Sequence, residues 1–438
     1  MINRNTCYRL WSSFLRVMRI GLIGRNSIEY AERLLQIWNK NDTAVLIDCD
    51  APPLVTKQLL KEANVNRCFI DSCILDKIDI SDPSSFDILE FSPTSTMPCL
   101  LPESIRGQFK PRYDETEAIV IYSSGTTGKR KGISLSHRAI NNNADSIIDY
   151  MMPSNEDCLY INKKLTHCSS IIGELLVALK SNARLLFSSI VIPPRISFKY
   201  IADYFVSILC CNPTLIKLYA DEVERNHFFP TSVRKVYTSG ECISQKEIER
   251  ARVLFGCPVY NVYGQSECGP RITAQGDNCC NANSVGKAIK NVEVKTTING
   301  EILVKTNALF NGYINSSFIQ DEWHETGDIG FFDENGELYI TGRKDNMIVL
   351  NSHNIFPETV ENVIVCNTFV EDCLVYVERG KLICDYVSNA QNETEIVKII
   401  KPLLMPYEIP KIYRKVDVIQ KNGSGKKKRN NWWSTSES

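Results

Sequence analysis

The sequence predicts an α/β fold, with a parallel sheet covered by helices in its first half. Three observations predict it. Apolar runs of strand length alternate with stretches of helical periodicity from Arg19 to Ile70. After about Val285 the texture changes to short strands separated by turns. From about Met347 a compact α+β pattern resumes and ends in a Gly/Lys-rich loop.

The first residues, with Arg4, Arg9, Arg16 and Arg19 and no acid before Gly24, lack the continuous apolar stretch of a secretory signal. They read as an amphipathic helix packed on the first domain rather than as a transit segment. Arg19 to Gly24 is a short apolar strand. Ser27 to Asn39 is a helix, with Tyr30, Leu34, Leu35 and Trp38 at helical spacing. Thr43 to Ile47 is a strand, Pro53 to Ala63 a helix and Arg67 to Ile70 a strand. That βαβαβ order requires parallel pairing. The Ser- and Pro-rich stretch from Asp82 to Arg112 reads as a connecting loop. Strands follow at Ala118 to Tyr122, Asp157 to Tyr160, Arg184 to Ile192, Lys235 to Ser239 and Pro258 to Tyr263, with a helix at Ile171 to Leu179. Glu301 to Lys305, Ile329 to Asp333 and Glu337 to Ile340 are the later short strands. Asp333-Glu334-Asn335-Gly336 turns the last two into a hairpin. A domain boundary is expected near Arg343 to Asp345.

Composition narrows the class. The chain has 438 residues, 43% hydrophobic and 23% charged, which suits a globular protein with a large core. A formal charge of -1 gives no global field toward nucleic acid. No apolar run reaches the ~18 residues of a membrane span. The 17 cysteines include no CxxC pair and no Cys/His cluster. Scattered thiols without a framework suit a reducing, cytoplasmic setting. The basic run Lys426 to Arg429 reads first as a solvated end.

The segment Tyr122-Ser123-Ser124-Gly125-Thr126-Thr127-Gly128-Lys129-Arg130-Lys131-Gly132 is a strand running into a loop dense in hydroxyls, backbone N–H groups and cations. Such a loop can wrap a polyphosphate: glycines allow close backbone approach and successive N–H groups form an anion nest. Lys131 adds a point charge. It is not a Walker A loop, because Arg130 stands where that motif needs Ser or Thr after Gly-Lys.

This segment resembles the phosphate-binding loop of the ANL superfamily, which comprises acyl- and aryl-CoA synthetases, peptide-synthetase adenylation domains and luciferases. Arg130 replaces the usual Pro and keeps every phosphate donor. Further matches occur in the family's order, and the resemblance extends from about Arg19 to Arg429. It implies a large N-terminal AMP-binding domain, residues 1–343, of stacked parallel sheets with helices plus a small β-barrel-like part. A small mobile α+β domain, residues 344–438, would carry the catalytic lysine.

The roles of individual residues follow from the resemblance. Ser123, Ser124, Gly125, Thr126, Thr127 and Gly128 would hold the phosphates, with Thr127 also toward the metal. Asn261-Val262-Tyr263-Gly264-Gln265-Ser266-Glu267 is similar to the YGxTE-type motif. There Asn261, Tyr263 and Gly264 would line the nucleotide, Tyr263 stacking on adenine; Ser266 would contact phosphate, and Glu267 would hold Mg2+, a hard cation that wants carboxylate oxygen. Ser239-Gly240-Glu241 resembles the turn lining the adenine and acyl pockets. Thr326-Gly327-Asp328 resembles the ribose clamp, a carboxylate accepting two O–H bonds. Gly342-Arg343-Lys344-Asp345 resembles the hinge, with Arg343 on ribose or phosphate and Asp345 as pivot. Asn422-Gly423-Ser424-Gly425-Lys426 resembles the C-terminal loop whose lysine stabilises charge during in-line attack; Lys427, Lys428 and Arg429 stay solvated on this reading. His167, in Lys164-Leu165-Thr166-His167-Cys168-Ser169-Ser170, is placed beside the α-phosphate, with Lys164 or Leu165 replacing the family's Pro.

The implied reaction is ATP-dependent activation of a small carboxylic acid as acyl-AMP, catalysed by Lys131, His167, Glu267 and Lys426. Thioester formation with CoA follows. An alternative acceptor is the phosphopantetheine of an acyl carrier protein, loaded by a stand-alone adenylation enzyme. A third reading, of another class, is a nucleotide-binding protein with a decayed site. The absence of Asp between Lys163 and Leu179 argues against α-amino acids. A shortened N-terminus, and Ser352 where the family's pantetheine-channel loop usually has Gly, bear on the thioester step rather than on adenylation.

Overall fold

The computed structural model describes residues 17–77, 87–94, 97–123, 130–188, 192–241, 243–277, 279, 281–316, 322–350, 353–390, 392–421 and 427–429. The amphipathic N-terminal segment expected before Arg16 lies outside the described residues.

The first sheet has seven strands, in the order Gly312–Tyr313, Lys131–Ser136, Glu117–Ser123, Thr43–Asp48, Arg19–Gly24, Arg67–Asp71 and Asp87–Phe91. The five from Glu117–Ser123 to Asp87–Phe91 pair in parallel; the two at the other edge are antiparallel. Leu22, Ile23 and the run Ala44 to Ile47 are buried, as continuous apolar strands in a two-sided sheet must be. The intervening helix Ile28–Asn39 starts at Ser27, whose hydroxyl accepts from the Tyr30 N–H at 3.0 Å. Its Trp38 Nε1 donates to the Ala118 carbonyl at 3.0 Å and ties the helix to the sheet.

The second sheet has eight strands: Lys287–Ala288, Thr273–Ala274, Val259–Tyr263, Lys235–Thr238, Ile208–Cys211, Cys158–Ile161, Arg184–Phe187 and Cys99–Leu100. The five from Val259–Tyr263 to Arg184–Phe187 are parallel. Inward residues of both sheets, including Ile119, Ile121, Leu159 and Phe187, share one apolar core with helix His137–Met151 and the segment 168–181. The helix lies between the sheets, which are therefore stacked. The β-rich part after Val285 is a four-stranded antiparallel sheet: Val292–Thr296, Glu301–Thr306, His324–Phe332 and Leu338–Arg343. In its hairpin Asp333 Oδ1 accepts from the N–H groups of Asn335 and Glu337, and Gly336 takes φ 75°. Strands Ile348–Leu350 and His353–Ile355 pair next, followed by the sheet Asp372–Glu378, Lys381–Val387 and Ile412–Lys415. Helix Pro357–Asn367 and these strands enclose a separate core around Ile364, Val375 and Ile396.

Several expectations are corrected. The stretch from Asp82 to Arg112 is no mere loop: it contributes Asp87–Phe91 to one sheet, Cys99–Leu100 to the other, and a helical turn at Glu103–Arg106. Short edge strands carry too little apolar sequence to stand out among Ser and Pro. The strand from Arg184 ends at Phe187. The helix expected from Ile171 winds as a π-helix over Ile171–Leu176 and becomes α-helical at Val177–Ser181. Lys427 and Arg429 are not a solvated surface. Lys427 pairs with Glu361 at 3.1 Å and Asp372 at 2.9 Å, and Arg429 with Glu361 at 2.8 Å. Among the described residues no helix is long and apolar enough to cross a membrane.

Candidate active site

The carboxyl ends of the parallel strands and the edge of the four-stranded sheet converge on one group of polar side chains. Asp328, 6% exposed, is its centre. Tyr263 Oη donates to Asp328 Oδ2 at 2.6 Å, Gln265 Nε2 to the same oxygen at 2.9 Å, and Arg343 Nη1 to Oδ1 at 2.9 Å. The last bond is set by sheet register, since Asp328 and Arg343 are paired across neighbouring strands. Gln265 also donates to the Thr326 carbonyl at 2.6 Å. Burial and the adjacent Asp328 carboxylate push the Tyr263 phenol well above its ordinary value, so it stays a hydrogen-bond donor.

Gly264 is required where it stands. A Cβ there would lie 2.1 Å from the Pro270 carbonyl oxygen, so this segment rests directly on Pro270 and Arg271. Next comes the turn Ser266–Cys268. Tyr313 Oη donates to Glu267 Oε1 at 3.0 Å, and the Tyr313 ring lies 4.9 Å from Lys131 Nζ. Tyr313 thus links the cation of one strand to the carboxylate of another. Burial, then Glu267, raises its pKa, while Arg343 opposes the rise, so the Asp328 and Glu267 groups feel each other. His324, on the same sheet strand as Asp328, is held below its ordinary pKa by burial, against Glu267, Glu325 and Asp328. A hard, half-buried, oriented carboxylate such as Glu267 fits Mg2+, and the two oxygens of Asp328 fit a pair of ribose hydroxyls.

The remaining expected residues fall in several places. Ser123 ends its strand opposite Lys131, so this antiparallel pair closes the hydroxyl-rich loop. Ser124, Gly125, Thr126, Thr127 and Gly128 lie outside the described residues, as do Ser352 and the lysine Lys426. Ser239 donates its N–H to the Cys211 carbonyl at 3.1 Å; Gly240 follows at φ 102°, a conformation that favours glycine, and Glu241 is half-buried on the same turn. Asn261 is turned into the sheet: its N–H bonds Gln275 Oε1 at 2.8 Å and its Nδ2 the Ser284 carbonyl at 3.3 Å. His167 is exposed and caps the helical turn Cys168–Ser170; its charge lowers the pKa of Asp48, a secondary effect beside that of Lys164. Its neighbour Cys168 is buried against Ser266, and burial pushes its thiol up to about 12. The His167 segment therefore borders the Ser266–Glu267 turn.

Sequence reading missed Gln265 as an Asp328 ligand, and it missed Tyr313 and His324. It also missed an acid on the helix after His167. Glu174, fully buried, sits within the interval that lacks Asp, and Lys163 Nζ lies 2.6 Å from its Oε1. A charged residue inside an otherwise apolar run was the available signal.

The 2-succinylbenzoate–CoA ligase of Lactococcus lactis subsp. lactis (strain IL1403) is 23% identical over 424 residues, covering 93% of this chain and 88% of the relative. Among solved structures, an anthranilate CoA ligase in complex with anthranoyl-AMP matches with TM-score 0.81 at 18% identity, over 94% of this chain and 86% of that one. The o-succinylbenzoate coenzyme A synthetase of Bacillus subtilis, in complex with ATP and magnesium ion, matches with TM-score 0.79 at 21% identity, over 98% and 91%. The family described as AMP-binding enzyme matches residues 16–314, the span that builds both stacked sheets and carries Lys131 and Glu267; the chain belongs to that family, within the ANL superfamily its motifs resemble.

Proposed function

We propose that this protein is an acid–thiol ligase that converts a small carboxylic acid and ATP into an acyl adenylate and pyrophosphate, then passes the acyl group to the thiol of CoA. The observation that carries the reading is the joined array Tyr263–Gln265–Asp328–Arg343 and Glu267–Tyr313–Lys131. One half offers a carboxylate to ribose, and the other offers a cation to phosphate and a carboxylate to a metal. The relatives' names point the same way: CoA ligases for 2-succinylbenzoate, and a synthetase that holds ATP with magnesium.

In this mechanism Asp328 fixes the ribose and Arg343 holds Asp328 in place. Lys131 faces the transferring phosphates. Glu267, oriented by Tyr313, holds Mg2+, which neutralises phosphate charge when bound. Lys426, brought in by residues 344–438, stabilises the charge that builds at the α-phosphorus as the acid's carboxylate attacks and pyrophosphate leaves. Those residues then turn about Asp345, withdrawing Lys426 and admitting the thiol. We place this chemistry in the cytoplasm, where the described cysteines, all free thiols, suit a reducing setting.

The test is pyrophosphate exchange over a panel of fatty, aromatic and dicarboxylic acids, with CoA or a purified carrier protein as acceptor. Lys426→Ala is expected to lose nearly all acid-dependent exchange while still binding ATP. Undiminished exchange in that variant contradicts the role given to Lys426. Acylation of the carrier in preference to CoA reassigns the second step.

A further inference from the structure

Beneath the nucleotide segment lies a buried charged cluster that the reaction above does not use. Arg271 is 3% exposed. Its Nη1 donates to the Pro270 carbonyl at 3.0 Å, and its Nε meets no acceptor. Among the described residues no carboxylate forms an ion pair with it. Its backbone is fixed by Asn143, fully buried, whose Nδ2 donates to the Arg271 carbonyl at 2.9 Å. The guanidinium lies across the π-helix: a Cβ on Gly173 would be 3.4 Å from Nη2. One residue further along that helix, Glu174 is held by Lys163 at 2.6 Å, and its Oε2 has no hydrogen-bond partner. Lys163 marks the open end, its side chain keeping 13% exposure.

The charges do not balance. Lys163 and Arg271 bring two positive charges against the single carboxylate of Glu174. A buried guanidinium with unused donors is costly unless an anion meets it. Its planar fork suits a carboxylate. The cluster lies between the helix that follows His167 and the Tyr263–Gly264 segment resting on Arg271. That is where the body of the activated acid has to sit if its reacting carboxylate meets the nucleotide.

We propose that Arg271, assisted by Lys163, binds a second carboxylate of the substrate, so that the acid is a dicarboxylate and Arg271 determines specificity. This rests on the acid-activating reading above. Burial pushes the Glu174 carboxyl above its ordinary range, against Lys163; protonation there would only enlarge the positive excess. An acid with a purely alkyl or unsubstituted aryl body leaves Arg271 unmatched.

The experiment measures pyrophosphate exchange with glutarate and phthalate against pentanoate and benzoate. In the wild type, kcat/KM for a diacid is expected to exceed that of its matched monoacid by about a hundredfold, because a buried polar site rejects a partner lacking the group it binds. Arg271→Gln should shrink that ratio at least about tenfold, and Arg271→Lys should restore part of it. A wild-type ratio near unity overturns the proposal whether or not the variants fold. So does a folded Arg271→Gln protein that keeps the wild-type ratio. Exchange with monoacids alone leaves acid activation standing and removes only the diacid. Exchange with no acid at all overturns both.

Discussion

Lys427 joins the fold of the last hundred residues to the placement of the lysine before it, and its removal has a calculable effect. Its Nζ contacts Glu361 at 3.1 Å and Asp372 at 2.9 Å, and it also donates to the Cys373 carbonyl. The three charged side chains expose 22%, 6% and 24% of their surface. Burial works against the ammonium, yet Glu361 and Asp372 raise its pKa above the ordinary lysine value. Removing one partner of a buried pair costs about 3–5 kcal/mol when the other charge is stranded. Neither carboxylate is stranded here. Arg429 keeps Glu361 at 2.8 Å, and Lys421 keeps Asp372 at 2.9 Å. Lys427→Met is therefore expected to cost about 2 kcal/mol, below that range.

Native-state hydrogen exchange in strand Asp372–Glu378 reads this loss directly, as roughly thirtyfold faster exchange at pH 7. The pH dependence has a definite sign. The Asp372 carboxyl is buried, but Lys427 and Lys421 hold it below its ordinary pKa. Its contribution is present above about pH 4 and lost as pH falls through the folded value. The Lys427 contribution is present below about pH 10 and lost as pH rises through its raised value. The difference between wild type and variant is thus widest between those limits. Exchange within threefold of wild type at neutral pH would refute the assignment of Lys427 as an anchor.

Two further outcomes are expected. Asp328→Asn keeps the shape of the side chain but strips the charge facing Arg343, so KM for ATP in pyrophosphate exchange should rise about tenfold to a hundredfold, the worth of a charged hydrogen bond; an unchanged KM removes Asp328 from the nucleotide site. His137, 3% exposed and 3.3 Å from Arg112 Nη1, has its pKa lowered to about 4 by burial and then by Arg112. The unfolded chain takes up this proton near pH 6.5, so stability should fall by about 3 kcal/mol as pH drops from 6.5 toward 4. A series of denaturation midpoints checks this, and His137→Phe should flatten that limb.

Strands with continuous apolar sequence were legible to within a residue or two, because parallel strands buried on both faces need little else to mark them. Arg19–Gly24 and Thr43–Asp48 are such strands. The two short edge strands between Asp87 and Leu100 were not legible, because their stability comes from partners distant in sequence rather than from their own residues. The same contrast holds in the site. Tyr263, Glu267, Asp328 and Arg343 stand in recognisable motifs. Tyr313 and Arg271 stand in none, and only the folded chain brings the first to Lys131 and the second to Gly173. Lys427 was misread because a run of cations carries no record of the acids it meets, and Glu361 and Asp372 are far away in the chain.

The contacts around Arg343 bear on whether the proposed rotation is affordable in free energy. On one side of Asp345, Arg343 bonds Asp328 at 2.9 Å and Lys344 bonds Glu301 at 2.7 Å; both partners belong to the four-stranded sheet. On the other side, Asn346 bonds Glu358 at 2.6 Å. Asp345 itself is exposed and meets only Arg343, at 4.0 Å. It therefore sits between two anchored ends, where a change in backbone angles disturbs neither anchor. What does cross the joint is the Thr359 hydroxyl bond to the Thr341 carbonyl at 2.7 Å, and the packing of Phe356 and Glu358 over Gly342, where a Cβ would come within 3.2 Å and 2.9 Å of them. Breaking that hydroxyl bond costs about 1 kcal/mol net. Glycine at 342 leaves no side chain to drag across the helix. A barrier of that size is small enough for one catalytic cycle to cross twice, once to bring Lys426 in and once to withdraw it.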